Sequence, residues 1–410
     1  MIHPVVIIGS GAAGMLAAIF AGNAGVPVLL LETRRAPGAK IRVSGGGRCN
    51  VLPSVMTLAD YHTGGSPNAM RNVLMSWPLE EVKRFFTTDL GIALKVEETG
   101  KMFPVSDRSK DVVDALLAAM SRARVTLRGE ARVVSLVRDS DSFLLTLEGG
   151  ETLRAARVVL SGGGLSMPRT GSDGGTWGMA KKLGHTVLPT YAALVPLLTD
   201  EHRWHELAGL SLNLELDVRT AGGKSITKRR EDFLFTHTGF SGPATLDVSR
   251  HFTQPDPAGQ LLADWAPDLD WERLLTTPQK RAVVTLVREH LPRRLADMLF
   301  ERCDIPLERM MSDLSRDERK RLAGELTSCS LVVTGSEGYR TAEVTAGGIP
   351  LDELSLKTLE SRIAPGLFVC GEMLDVTGRI GGFNFLWAWV TGRRVGLTLG
   401  ASGVLSPSAA

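Results

Sequence analysis

Cysteine is sparse in this 410-residue chain: Cys49, Cys303, Cys329 and Cys370 are scattered, and no two stand in C-x-x-C spacing. The pattern excludes a disulfide framework and a zinc knuckle, and it predicts reduced thiols in a cytoplasmic setting. An excess of either charge is missing too. The 47 Lys and Arg residues nearly balance 45 Asp and Glu, and the formal charge of +2 supplies no global basic field for a nucleic acid. No run of about 18 apolar residues is present to span a membrane. His202 and His205 stand without accompanying ligating residues, so no metal is expected. What remains is the composition of an ordinary globular enzyme, 43% hydrophobic and 22% charged, in a chain long enough for two or three domains.

Glycine, by contrast, comes in meaningful runs. The apolar stretch Val5–Ile8 leads into Gly9-Ser10-Gly11-Ala12-Ala13-Gly14, then a small-residue helix, a second apolar run Val28–Leu31, and Glu32. This is the dinucleotide-binding fingerprint, and the glycine turn followed by a second strand distinguishes it from a secretion signal. Gly9 permits the tight turn, Gly11 lets backbone approach a pyrophosphate, and Gly14 lets helix and sheet pack closely. The helix N-terminus turns N–H groups toward the phosphates, and Glu32 is placed to accept hydrogen bonds from ribose hydroxyls. The fingerprint alone does not separate NAD from FAD.

Three more glycine-rich segments follow. Beyond Thr33 and Arg34, a basic loop ends at Lys40 and leads to Ser44-Gly45-Gly46-Gly47-Arg48-Cys49-Asn50. There, bare backbone lies between polar donors. Val158–Leu160 is an apolar strand ending in Ser161-Gly162-Gly163, and Leu367–Val369 is another, ending in Cys370-Gly371-Glu372 with Asp375 close behind. Gly381-Gly382-Phe383-Asn384 then opens a final helix expected to run through Gly392. An acid at such a strand end suits a ribityl hydroxyl, and glycines at a helix start suit flavin oxygens.

Four separated motifs in this order resemble the BaiN/aminoacetone-oxidase-type family of FAD-dependent oxidoreductases, whose cofactor domain is similar to that of glutathione reductase-like flavoproteins. Ser161-Gly162 and Arg379-Ile380 depart mildly from the family pattern. The resemblance implies FAD at the first site and an α/β fold. That fold is a Rossmann-like FAD-binding domain with a β-meander, interrupted by a β-barrel-like insert that carries a small helical subdomain.

The element pattern maps onto that plan. Residues 1–190 form the first part of the FAD domain, including meander strands at 132–138, 143–148 and 151–160. A β-rich insert takes 191–271, where Leu212, Leu214, Leu216 and Val218 alternate with polar residues. A helical subdomain occupies 272–327, with one helix opened by Thr277-Pro278 and another by the capping box Ser315–Glu318. Residues 328–335 return to the insert sheet, and 336–410 complete the FAD domain.

Since a flavin performs its own redox chemistry, few catalytic side chains are required. His237 is the candidate acid or base. Cys49 lacks the neighbouring thiol of a dithiol reductase and reads as a small buried residue. No second G-x-G-x-x-G follows a strand, so a nicotinamide donor would bind transiently at the open flavin face. The expected function is an FAD-dependent oxidoreductase, with a small organic substrate between flavin and insert and NAD(P)H as donor. An oxygen-using oxidase of a small amine or alcohol is the alternative. An RNA-associated flavoprotein guided by Lys224, Lys228, Arg229 and Arg230, or a flavin-binding protein without turnover, stands as the rival class, and no nucleic acid is expected. The oligomeric state is open.

Overall fold

The computed structural model describes residues 2–401, so 402–410 of the segment expected at 336–410 lie outside it. The described residues divide into two compact units, 2–191 with 343–401 and 192–342.

The first unit is built on strands β1 (Ile2–Ile8), β2 (Val28–Leu31), β3 (Thr126–Arg128), β4 (Val133–Asp139), β5 (Ser142–Leu147), β6 (Thr152–Leu160) and β7 (Leu367–Val369). They lie in the order β3-β2-β1-β6-β5-β4, with β7 also on β6. β6 belongs to two patterns at once. Along one side it runs parallel to β1, from Ile2 opposite Arg154 to Ile8 opposite Leu160. Along the other, Thr152–Ala155 pairs antiparallel with β5 while Val158–Leu160 pairs parallel with β7. The unbroken apolar runs are explained by this placement: Val5–Ile8, Val28–Leu31 and Val158–Leu160 are buried on both faces. The meander strands alternate because only one face is covered.

Two helices fix the parallel half. α1 (Ala12–Asn23) is alanine-rich and almost wholly buried. The closing helix α2 (Phe383–Ala401) packs along it and runs well beyond the expected end at Gly392. Contact is made by glycines four residues apart. A Cβ on Gly392 would fall 2.3 Å from the Ala13 carbonyl oxygen, and one on Gly396 would fall 2.7 Å from that of Ala17. Each glycine costs a helix interior about 1 kcal/mol relative to alanine, so the close approach must offset it through dispersion along the seam.

The second unit holds an antiparallel sheet whose neighbours run 329–331, 260–264, 211–219, 225–235, 239–241, 197–198 and 335–336. Laid flat, seven strands would set the two ends about 29 Å apart at ~4.8 Å per neighbour. Yet Leu331 and Gly335, on the end strands, are four residues apart in sequence, a reach of about 14 Å. The sheet must therefore curl back on itself, which gives the barrel-like form expected of the insert. Its interior is aromatic: Trp204, Trp265, Phe233, Phe235 and Phe240 pack together and are fully buried.

Helices at 271–276, 283–288, 293–302 and 316–327 accompany this sheet. Ser315 caps the last one as its sequence predicts, with its Oγ accepting from Glu318 N at 3.2 Å and Glu318 accepting from Ser315 N at 2.9 Å. The Thr277-Pro278 start is corrected to Val283. There, Val283 N donates to Arg309 O and Met311 N to Arg281 O, so a short bridge between Ala282 and Met310 keeps the preceding backbone extended.

The α1–α2 seam gives a direct test. Gly392→Ala should destabilise the protein by about 1–3 kcal/mol through overpacking against Ala13. Alanine at the solvent-facing helix position Gly178, where a Cβ meets nothing within 4 Å, should be neutral or mildly stabilising. Urea unfolding of the two variants checks the contrast.

Candidate cofactor site

β1, β6 and β7 end side by side at Ile8, Leu160 and Val369, and their continuations converge. Ser161 N donates to Ile8 O at 3.0 Å and Cys370 N to Leu160 O at 3.1 Å. The turn after β1 leaves no room for side chains. Gly9 has a φ of +102°, and a Cβ there would fall 2.7 Å from the Ser161 carbonyl oxygen; on Gly14 it would fall 2.0 Å from that of Gly9. Gly11 is different, because a Cβ there meets nothing within 4 Å. The first and third glycines are thus demanded by the protein itself, whereas the second opens space at the N-terminus of α1. The amides of that helix's first turn have no helical acceptors of their own.

Several predicted cofactor residues have structural duties here. Ser161 Oγ donates to the carbonyls of Ile8 and Gly9, both at 2.9 Å, tying β6 to the turn. Glu32 is buried, and its Oε2 accepts from Ser10 N at 3.0 Å and Ser10 Oγ at 2.5 Å. Its Oε1 accepts from Arg34 N at 2.8 Å, which leaves one lone pair of that oxygen for a ribose hydroxyl. The Arg34 side chain is exposed, and Thr33 is half-buried beside Glu32.

The glycine triplet turns in the left-handed region, with φ of +55°, +67° and +86° at Gly45, Gly46 and Gly47. Arg48 fastens it by pairing with Glu97 at 2.5 Å and lying 4.0 Å over the Phe103 ring. Ser44 Oγ donates to Ile41 O at 2.8 Å. Cys49 is fully buried, and desolvation pushes its thiol up to about 12 despite a hydrogen bond with Ser44. Asn50, with its amide nitrogen toward Leu52 O, accepts from Gly382 N at 3.2 Å.

Residues more than 300 positions apart meet across this cradle. Lys40 Nζ donates to Glu372 Oε2 at 2.7 Å, and Glu372 Oε1 accepts from Thr345 N at 2.8 Å. Glu372 also lies beside Gly163 and Gly164. Asp375 is buried and accepts from Gly64 N at 2.8 Å and Thr63 Oγ1 at 3.2 Å, so it holds the 63–65 loop. Burial pushes its carboxyl above the ordinary range, more than those donors pull it down. The Asn384 amide clamps Gly378, accepting from its N–H at 2.8 Å and donating to its carbonyl at 2.9 Å. Gly382 packs on the Leu52 backbone and Phe383 accepts from Tyr61 OH at 3.0 Å.

His237 belongs to the other unit. It is exposed in the turn between 225–235 and 239–241. Sequence reasoning missed Thr345, whose hydroxyl accepts from Leu165 N at 2.8 Å and Ser166 N at 3.0 Å. It also missed the loop at 63–65. The Val344–Gly348 run was a usable signal for Thr345; the loop at 63–65 carried none.

The model for the HI0933-like protein Rossmann domain matches residues 3–398. The chain belongs to that family. It groups FAD-dependent oxidoreductases, as the motifs imply. An Escherichia coli ribosomal RNA dihydrouridine synthase is 36% identical over 94% of each chain. A 3-dehydro-bile acid delta(4,6)-reductase of Clostridium scindens is 31% identical over 95% of this chain and 97% of its own. A ribosomal RNA dihydrouridine synthase of Haemophilus influenzae is 30% identical over 94% and 95%. In fold, the chain is similar to a 3-ketosteroid delta1-dehydrogenase from Sterolibacterium denitrificans, with a TM-score of 0.52 at 14% identity, covering 98% of this chain and all of that one. It is also similar to a flavocytochrome c3 fumarate reductase, with a TM-score of 0.51 at 16% identity over 97% and 78%.

The cradle suits FAD. Open backbone at Gly11, Gly46 and Gly47 admits phosphate or flavin oxygens, Glu32 retains an acceptor at the ribose end, and Glu372 stands at the β7 end beside bare glycines. Glu372→Gln should weaken FAD binding at least tenfold and loosen Lys40, which fluorescence titration of the apoprotein with FAD will read. Asp375→Asn keeps an oxygen for Gly64 and Thr63 but removes a buried charge. A raised native pKa means that Asp375 favours folding below its unfolded value near ~4 and loses that contribution as pH rises through the native value. The variant should therefore melt above wild type at pH 7, with the gap closing toward pH 4, in thermal scans at the two pH values.

Proposed function

We propose that this chain is a flavin-dependent reductase that adds hydrogen across a carbon–carbon double bond conjugated to a carbonyl, with NAD(P)H as electron donor. One observation carries the reading. Three relatives matched nearly end to end, at 30–36% identity, are named for that chemistry: one for reducing a bile acid at its 4,6 positions and two for making dihydrouridine in ribosomal RNA. Dihydrouridine arises when the 5,6 double bond of uracil gains two hydrogens, and that bond is conjugated to the C4 carbonyl much as an enone is.

For the substrate, the uracil ring of ribosomal RNA takes precedence over a free small molecule, because the relatives from E. coli and H. influenzae both carry it in their names. Within the run Lys224–Arg230, Lys228 pairs with Glu215 at 2.7 Å and Arg230 with Asp268, exposed pairs of the kind that contribute little. A steroid-like enone is the second reading, favoured by the C. scindens relative.

When bound, FAD accepts electrons from the donor and supplies a hydride. The chain must then provide a proton to the carbon next to the carbonyl. Cys49 is unsuited, since its thiol is fully buried and desolvation pushes it up to about 12. Asp375 is the better candidate: it is buried, its Oδ2 accepts from Gly64 and Thr63, and desolvation raises its carboxyl above the ordinary range.

Two measurements test the reading. NADH or NADPH should bleach the flavin of the purified protein within seconds under anaerobic conditions, and no bleaching by either sinks the donor assignment. Nucleoside mass spectrometry of ribosomal RNA from a strain lacking the gene should show dihydrouridine lost, with recovery on complementation. Unchanged dihydrouridine, together with turnover of a 4,6-unsaturated steroid ketone, would shift the substrate to the second reading.

A further inference from the structure

Among the described residues, no group of three or more His, Cys, Asp and Glu side chains is arranged to hold a metal ion. Two imidazoles in the second unit nevertheless converge. His202 and His205 lie on the short helix at 202–205, with their Nδ1 atoms 3.4 Å apart. His205 Nε2 is 3.1 Å from the Thr199 carbonyl oxygen. A carbonyl only accepts, so Nε2 carries the hydrogen, and the Nδ1 lone pair of the neutral ring accepts from His202 Nδ1 at 3.4 Å, a hydrogen that an ion held between the two nitrogens would replace. This is the arrangement by which ligating histidines are usually oriented, one nitrogen donating to backbone and the other left for the metal.

We propose that His202 and His205 form a two-imidazole site for a borderline divalent cation of the Zn2+ class, its other positions filled by water. The distances fit a single chelated ion. With both nitrogens at a Zn–N length of ~2.1 Å, a 3.4 Å separation gives an N–metal–N angle of about 108°, close to tetrahedral. If both lone pairs point at that ion, each ring centre lies about 3.2 Å from it, and the centres should be about 5.2 Å apart. They are 5.3 Å apart, with the ring planes 81° from one another. Among the described residues no third ligating side chain joins the pair, and Glu201 Oε2 is already held by Trp204 Nε1 at 2.7 Å and Arg302 at 3.2 Å. The four cysteines are buried and take no part. His202 is exposed and His205 half-buried, which leaves the ion's remaining positions open to solvent.

Calorimetric titration of the full-length, flavin-loaded protein with ZnCl2 tests the site. One Zn2+ per chain should bind saturably, and His202→Ala and His205→Ala should each weaken it at least tenfold. Co2+ on the unaltered protein should give the intense visible bands of a tetrahedral ion, a readout that does not depend on either variant folding. Absence of saturable Zn2+ uptake in the unaltered protein, or uptake unchanged in both variants, overturns the proposal.

Discussion

At the end of β1, backbone meets backbone with no side chain between. Gly9 turns against the Ser161 carbonyl, Gly14 packs on Gly9, and Ser161 Oγ binds both Ile8 and Gly9. This contact joins β1, α1 and β6 into one rigid corner, and β7 is added through the hydrogen bond from Cys370 to Leu160. Once that corner is set, the loops beyond it have little freedom. Gly11, Gly163, Gly371 and Glu372 come to one end of the sheet because their strands are in register, the position where open α/β sheets bind their ligands.

Much of this was legible in the chain. The fingerprint and the meander from 133 to 160 depend on neighbours in sequence, where apolar runs and alternation report burial directly. What lay beyond reading were partners far apart. Lys40 and Glu372 were each candidates, but nothing in either segment says that they pair. The same holds for Asp375 with Gly64 and for Asn50 with Gly382. Glu32 shows a subtler gap: an acid at that position signals a ribose ligand, yet most of its hydrogen-bonding capacity is spent on Ser10 and Arg34. The length of α2 was also missed, although its glycines at 392, 396 and 400 repeat every four residues. In isolation they resemble a helix stop, and only α1, with its row of alanines, turns them into a seam.

The electrostatics follow the same division of labour. Cations near the cradle are mostly committed: Lys40 to Glu372, Arg48 to Glu97, and Arg379 to Asp60. Such partly buried pairs orient loops more than they stabilise the fold. Asp375 goes the other way, as a carboxyl whose burial outweighs the donors that hold it, at a cost in stability. A buried acid of that kind is characteristic of sites where chemistry, rather than packing, decides the residue.

The seam between α1 and α2 also sets the order in which the molecule can form. α1 emerges among the first two dozen residues, but the glycine face that covers it is made only after residue 383. At ribosomal rates of roughly 5–20 residues per second, the alanine surface waits on the order of 20–75 s for its partner. Meanwhile, residues 192–342 are complete and can collapse around their own aromatic core. The unit that holds α1 therefore closes only after residues 192–342 have been made, and the cofactor cradle stays incomplete until Gly371–Asn384 have been synthesised.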